Sequence, residues 1–171
     1  MIFFAPSQEA STTSLPGSQK NTLVIGIGNP LQGDDGVGVR AAEQLANESL
    51  PPGVQVQELG TPGWGLVNAL EGWQRIILID AVQMGAEPGA WRRLDGNQVS
   101  LINNPSSLSL HEPGLAESLA LARALNLLPE EVVLYAIEPG HIGPVEQLTP
   151  AVANALPALV KQILEDIWKE T

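Results

Sequence analysis

Short apolar runs alternate with longer segments in which apolar residues return every three or four positions. The first run, Thr22–Ile27, is rich in branched residues and ends at Gly28-Asn29-Pro30, the pattern of a strand buried on both faces. A polar loop over residues 31–36 leads to a predicted helix over 37–50, where Val37, Ala41, Ala42 and Leu45 share one face and Pro51-Pro52-Gly53 stops it. Residues 54–58 alternate apolar and polar side chains and predict an edge strand. Gly60-Thr61-Pro62-Gly63 predicts a turn, and residues 64–73 a short helix. Residues 75–80 give the strongest strand signal, Ile76-Ile77-Leu78-Ile79 closed by Asp80.

A weaker strand is expected over 90–94, then a polar loop over 100–109 leading to His111. Residues 114–126 place Leu115, Leu119, Ala122 and Leu125 on one helical face, and 132–137 read as a buried strand. The last helix spans 150–169, with Thr149 as N-cap, Pro150 in the first turn and a kink expected at Pro157. Leu156, Val160, Ile163, Leu164 and Ile167 form its packing stripe. Strands alternating with helices imply a largely parallel sheet covered on both faces, with functional loops at the carboxyl ends of the strands. Residues 1–20, rich in Ser, Thr, Gln, Pro and Gly, are expected to be a flexible tail, and residues 21–171 one catalytic α/β domain.

Composition narrows the function classes. Eight basic against 19 acidic residues give a net charge of −11, which opposes nucleic acid and anionic membrane as partners. With no Cys there is no disulfide, thiolate zinc site or cysteine nucleophile, and two His rule out a three-histidine centre. No apolar run approaches the ~20 residues of a membrane span, and the amino terminus lacks a basic region ahead of its apolar stretch. A cytoplasmic protein is expected.

The topology brings separated residues to one rim: Asn29, Asp34 and Asp35 after the first strand, Asp80 at the end of the third, His111 before a helix and Glu138 after the last strand. Gly26-Ile27-Gly28 lacks the third glycine of a dinucleotide fingerprint, and the acids that follow would repel a pyrophosphate. For the Asp34-Asp35 pair, helix capping explains one acid, whereas two in a glycine-rich loop suit a cation or a polarised water. Asp80 reads alone as a turn residue, His111 as a helix-entry residue and His141 as a solvated loop residue. Together, Asp35, Asp80 and His111 make a ligand set compatible with Ni²⁺, Zn²⁺ or Fe²⁺. Ser106, Ser107 and Ser109 lie near His111, but no Gly-x-Ser-x-Gly elbow supports a serine hydrolase, and a paired-carboxylate glycosidase gathers no further support.

Residues 28–38, Gly-Asn-Pro-Leu-Gln-Gly-Asp-Asp-Gly-Val-Gly, resemble the N-terminal motif of the nickel–iron hydrogenase maturation endopeptidases. Leu78-Ile79-Asp80-Ala81-Val82, with Gly85 and Glu87-Pro88-Gly89, is similar to that family's strand-end aspartate segment. Ser109-Leu110-His111-Glu112 is similar to its histidine segment, and Ile137-Glu138-Pro139 with Leu148-Thr149-Pro150 to its C-terminal portion. The resemblance runs from Leu23 to Leu164 with the segments in order.

It implies a three-layer α/β/α sandwich around a twisted, mostly parallel sheet of the phosphorylase/hydrolase-like kind. It also implies a metal-assisted, aspartic-type endopeptidase that removes the C-terminal extension of a hydrogenase large-subunit precursor after nickel insertion. The family's metal-contacting positions fall on Asp35, Asp80 and His111, with Asn29, Asp34 and Gly36 supporting the loop. The nickel is expected to be carried by the precursor, and the protein to act as a monomer. Many members carry an Asp-Gly-Gly-Thr-like recognition stretch where this chain has Glu58-Leu59-Gly60-Thr61, so Glu58, Gly60 and Thr61 are the expected recognition residues, with Glu58 and Leu59 departing from the pattern. The competing reading is a non-catalytic nickel- or precursor-binding maturation chaperone on the same fold. A generic metallopeptidase is a third.

Overall fold

The two apolar runs with the strongest strand signal lie side by side inside a five-stranded sheet. The computed structural model describes residues 21–61, 63–99 and 114–169. Along the chain these form β1 (Thr22–Ile27), α1 (Val37–Ala46), β2 (Val54–Gly60), α2 (Gly63–Ala69), β3 (Arg75–Ala81), β4 (Trp91–Asp95), α3 (Gly96–Val99), α4 (Leu115–Ala124), β5 (Glu131–Ile137) and α5 (Pro150–Lys169). The strand order is β2-β1-β3-β5-β4. β1, β2, β3 and β5 run parallel, while β4 joins β5 antiparallel at one edge. The alternating segment β2 is the opposite edge, as its pattern predicts, and the carboxyl ends of the four parallel strands share one rim.

Successive residues of each central strand serve opposite cores. Val24, Ile77, Ile79, Val133, Tyr135 and Ile137 pack with Val37, Ala41 and Leu45 of α1 and Val152, Leu156, Leu159, Val160, Ile163 and Ile167 of α5. Leu23, Ile25, Ile27, Ile76, Leu78, Leu134 and Ala136 pack with Leu66 and Val67 of α2 and Leu119 and Ala122 of α4. Burial on both faces is why these strands are continuous apolar runs. The expected α/β/α layering is therefore present.

Several boundaries differ from the pattern-based expectation. α1 ends at Ala46, because the Asn47 N–H turns back onto the Gln44 carbonyl, the Glu48 N–H onto the Leu45 carbonyl, and the Asn47 side chain donates to the Glu43 carbonyl. α2 stops at Ala69 and leaves Trp64 exposed. Leu125 lies past the last turn of α4 and is exposed, so it does not share the packing face of Leu119 and Ala122; Ser118 is buried there instead, donating to the Gly63 carbonyl at 3.2 Å. The short helix α3 carries no periodic signal in the sequence. α5 runs through Pro157 as one 20-residue element, with that proline on its exposed side. The expected tail over 1–20, the loop over 100–109 and His111 lie outside the described residues.

At the rim opposite the carboxyl ends, the buried Arg75 that opens β3 bonds Glu131 of β5 at 3.0 Å and Asp166 of α5 at 3.1 Å. The Tyr135 hydroxyl donates to the same Asp166 oxygen at 3.1 Å, and Arg93 of β4 reaches it at 3.2 Å. This network ties α5 to three strands at the end remote from the candidate site.

Candidate functional site

The loop between β1 and α1 is built by close backbone approaches. Gly28 has φ 118°, and a side chain there would run into the Asp35 carbonyl. Gly38, in the first turn of α1, sits against the Ile27 and Ile79 carbonyls, so any Cβ would push the helix away from the ends of β1 and β3. Asn29 shapes the turn: its side-chain oxygen accepts from the Leu31 N–H at 2.9 Å. Its own N–H donates to Asp35 Oδ2 at 2.7 Å, which orients that carboxylate.

The adjacent acids part company. Neither caps α1, whose N-cap is Gly36 without a side-chain bond, so the capping reading is corrected. Asp34 is fully buried and turns to the loop after β5. It accepts from the N–H groups of Gly140 at 2.7 Å, His141 at 3.0 Å and Thr149 at 2.7 Å, and from the Thr149 hydroxyl at 2.8 Å. Burial raises its pKa, but these donors outweigh that and hold it below the ordinary carboxylate value. A carboxylate so engaged is a brace, not a free base. Thr149 stands at the head of α5 as expected, but its hydroxyl serves Asp34.

Asp80 stands at the end of β3, where the strand holds it rigidly on the rim. Its pKa is pushed up to about 8, first by burial and then by the neighbouring charge of Asp35, against the lowering effect of the Ala81 N–H. Asp35, in the loop after β1, is thus near enough to the end of β3 for its charge to oppose ionisation of Asp80. The raised pKa biases Asp80 toward its protonated form, and the hard oxygen donors of the two carboxylates are of the kind that suit a divalent first-row metal completed by imidazole. Among the described residues no cluster of three or more metal-ligating side chains occurs. His111, the proposed imidazole, lies outside them.

Glu138 is not part of the pair: it is buried and accepts from the N–H groups of Met84 at 2.6 Å and Ala86 at 3.1 Å, fastening the loop between β3 and β4. Glu58, Gly60 and Thr61 lie one strand over, at the carboxyl end of β2, and the Gly60 carbonyl accepts from the Gly28 N–H at 2.8 Å. Glu58 and Thr61 are exposed there. His141 is exposed, with its ring over Gly143. Sequence reading misses Thr149 and the Gly140–His141 backbone as partners of Asp34, because nothing local marks groups more than a hundred positions away.

Comparison with known proteins places these observations among relatives. A family model described as hydrogenase maturation protease matches residues 39–166. The hydrogenase expression/formation protein HupD of Bradyrhizobium diazoefficiens is 37% identical over 145 residues, covering 81% of this chain and 74% of its own length. HupM of Azotobacter chroococcum, under the same description, is 35% identical over 159 residues, covering 86% and 76%. Among solved structures, the hydrogenase maturating endopeptidase HybD from E. coli superposes with TM-score 0.78 at 29% identity over 87% of this chain and 93% of that one. A hydrogenase 2 maturation peptidase from a Thaumarchaeota archaeon gives TM-score 0.66 at 32% identity over 86% and 98%.

Proposed function

The chain belongs to the hydrogenase maturation protease family, and from that premise we propose that it removes a short C-terminal extension from a nickel–iron hydrogenase large-subunit precursor after nickel insertion. The observation that carries the reading is the meeting of Asp35 and Asp80 at the rim, two carboxylates whose oxygen donors suit a cation. In this reading nickel is part of the substrate, held by the precursor, and supplies Lewis-acid chemistry at the bond that is cut.

The chain's own groups then bind and orient. Asp35, aimed by the Asn29 N–H, and Asp80, fixed by β3, approach the substrate together with His111. Asp80, whose pKa is pushed up to about 8 by burial and the charge of Asp35, would release its proton to solvent water as the cation approaches. Asp34 keeps the loop rigid, and Gly36 lets Pro30 lie against the start of α1. Glu58, Gly60 and Thr61 flank the site and bear on substrate choice. The protein is proposed to act in the cytoplasm as a monomer; no helix among the described residues is long and apolar enough to cross a membrane.

Intact-mass spectrometry of a large-subunit precursor incubated with the protein, with and without nickel loading, tests the proposal. A nickel-dependent loss of the C-terminal peptide is the expected result. An intact precursor retained in a stable complex, with nickel loading verified, would favour the non-catalytic chaperone instead.

A further inference from the structure

Six large apolar side chains stand out of the described surface, and four of them, Leu31, Trp64, Ile142 and Val145, belong to segments that follow β1, β2 and β5 at the site rim. Exposed apolar residues are ordinary when scattered. Here Leu31, Ile142 and Val145 are carried by two loops bonded to each other. Gly33 pairs with Ile142 in an isolated antiparallel bridge, its N–H donates to the Val145 carbonyl, and the Gly143 N–H donates to the Gln32 carbonyl at 3.3 Å. Gly33 has φ 64°, and a Cβ there would press to 2.9 Å from the His141 carbonyl and 3.2 Å from a Val145 methyl. From inside, the Asp34 carboxylate ties the same two loops through Gly140, His141 and Thr149. The frame is rigid, yet it leaves Leu31 59%, Ile142 43% and Val145 42% exposed.

This surface is also unusually free of charge. Residues 29–33 carry none and residues 139–149 only Glu146, in a chain of net charge −11. An uncharged apolar surface beside two carboxylates favours a polypeptide with an apolar side chain next to the group those carboxylates hold, while the surrounding acidity repels acidic segments. A preorganised frame lowers the ordering cost of such docking.

We infer that Leu31, Ile142 and Val145 form a seat for an apolar side chain of the precursor polypeptide beside the bond that is cut, and that they determine specificity. The inference rests on the endopeptidase reading and adds the recognition element to it.

The test compares processing of nickel-loaded precursor by wild type, Ile142→Glu, Val145→Glu, the conservative Ile142→Leu and Trp168→Glu, which places the same charge at the far end of α5. Binding of intact precursor is followed in parallel by titration calorimetry. Each rim Glu variant is expected to raise KM and Kd about tenfold or more with kcat within about twofold, while Ile142→Leu and Trp168→Glu match wild type. Wild-type cleavage with unchanged KM and Kd in both rim variants would overturn the seat. So would a wild-type dimer that those variants disperse without altering KM, since the surface would then belong to a second copy. Failure of wild type to cut verified substrate sinks the endopeptidase reading alone, and the Kd values then decide the seat.

Discussion

Asp34 accepts hydrogen bonds from both the backbone N–H and the hydroxyl of Thr149, a residue 115 positions later in the chain. With Gly140 and His141 also donating, one buried carboxylate joins the loop after β1 to the loop before α5. Asp34→Ala strands these donors and is expected to cost about 2–4 kcal/mol, read by urea denaturation.

The lowered pKa of Asp34 has a pH signature. A carboxylate held below its unfolded value stabilises the fold above that value, and the contribution is lost as pH falls through the folded pKa. Stability should therefore decline below pH ~4, and Asp34→Asn should flatten that acid limb while lowering stability at neutral pH. An acid limb identical in wild type and Asp34→Asn would contradict the brace.

Asp80 carries the opposite sign. Its folded pKa of about 8 lies above the unfolded value of 3.8, so its contribution to stability is complete below the unfolded value and is lost as pH rises toward 8. In the metal-free protein, Asp80→Asn should be stabilising at pH 8 by on the order of 1–2 kcal/mol, roughly 3–8 °C in Tm. The gain should vanish near pH 4. The same variant should lose processing, so greater stability and lost activity would appear together.

Asp35→Ala and His111→Ala are each expected to abolish precursor processing. For Asp35→Ala the melting temperature should stay within about 3 °C of wild type, because a rim carboxylate adds little to either core. Processing by His111→Ala at the wild-type rate would remove the imidazole from the proposed contact set.

Arg75→Met tests the far end of the molecule. Removing the buried guanidinium leaves only the half-exposed Arg93 as the cation between Glu131 and Asp166, at a cost of about 3 kcal/mol in chemical denaturation. Cleavage per folded molecule should be unchanged, since the network and the candidate site lie at opposite rims of the sheet.

The elements most legible in the sequence are those whose burial pattern is local. Ile76-Ile77-Leu78-Ile79 and Thr22–Ile27 announce strands buried on both sides, and Val54–Glu58 announces an edge by alternating. Less legible are the ends and the turns. Asn47 closes α1 early through bonds to its last carbonyls, and α3 has too few residues for any period to show. Leu125 keeps the spacing of the α4 stripe but falls past the helix end, where that spacing no longer implies a shared face.

The α/β alternation, the apolar strands and the candidate acids near strand ends can all be read from the chain alone. These follow from period, composition and steric size, which act over a few residues. That Asp34 braces whereas Asp35 lies near Asp80 emerges only on folding, since the division depends on which groups from distant segments supply donors and which supply a like charge. Two adjacent aspartates are chemically identical in the chain. The packing of β3 and of the loop before α5 around them makes one a stabilised buried anion and leaves the other beside Asp80.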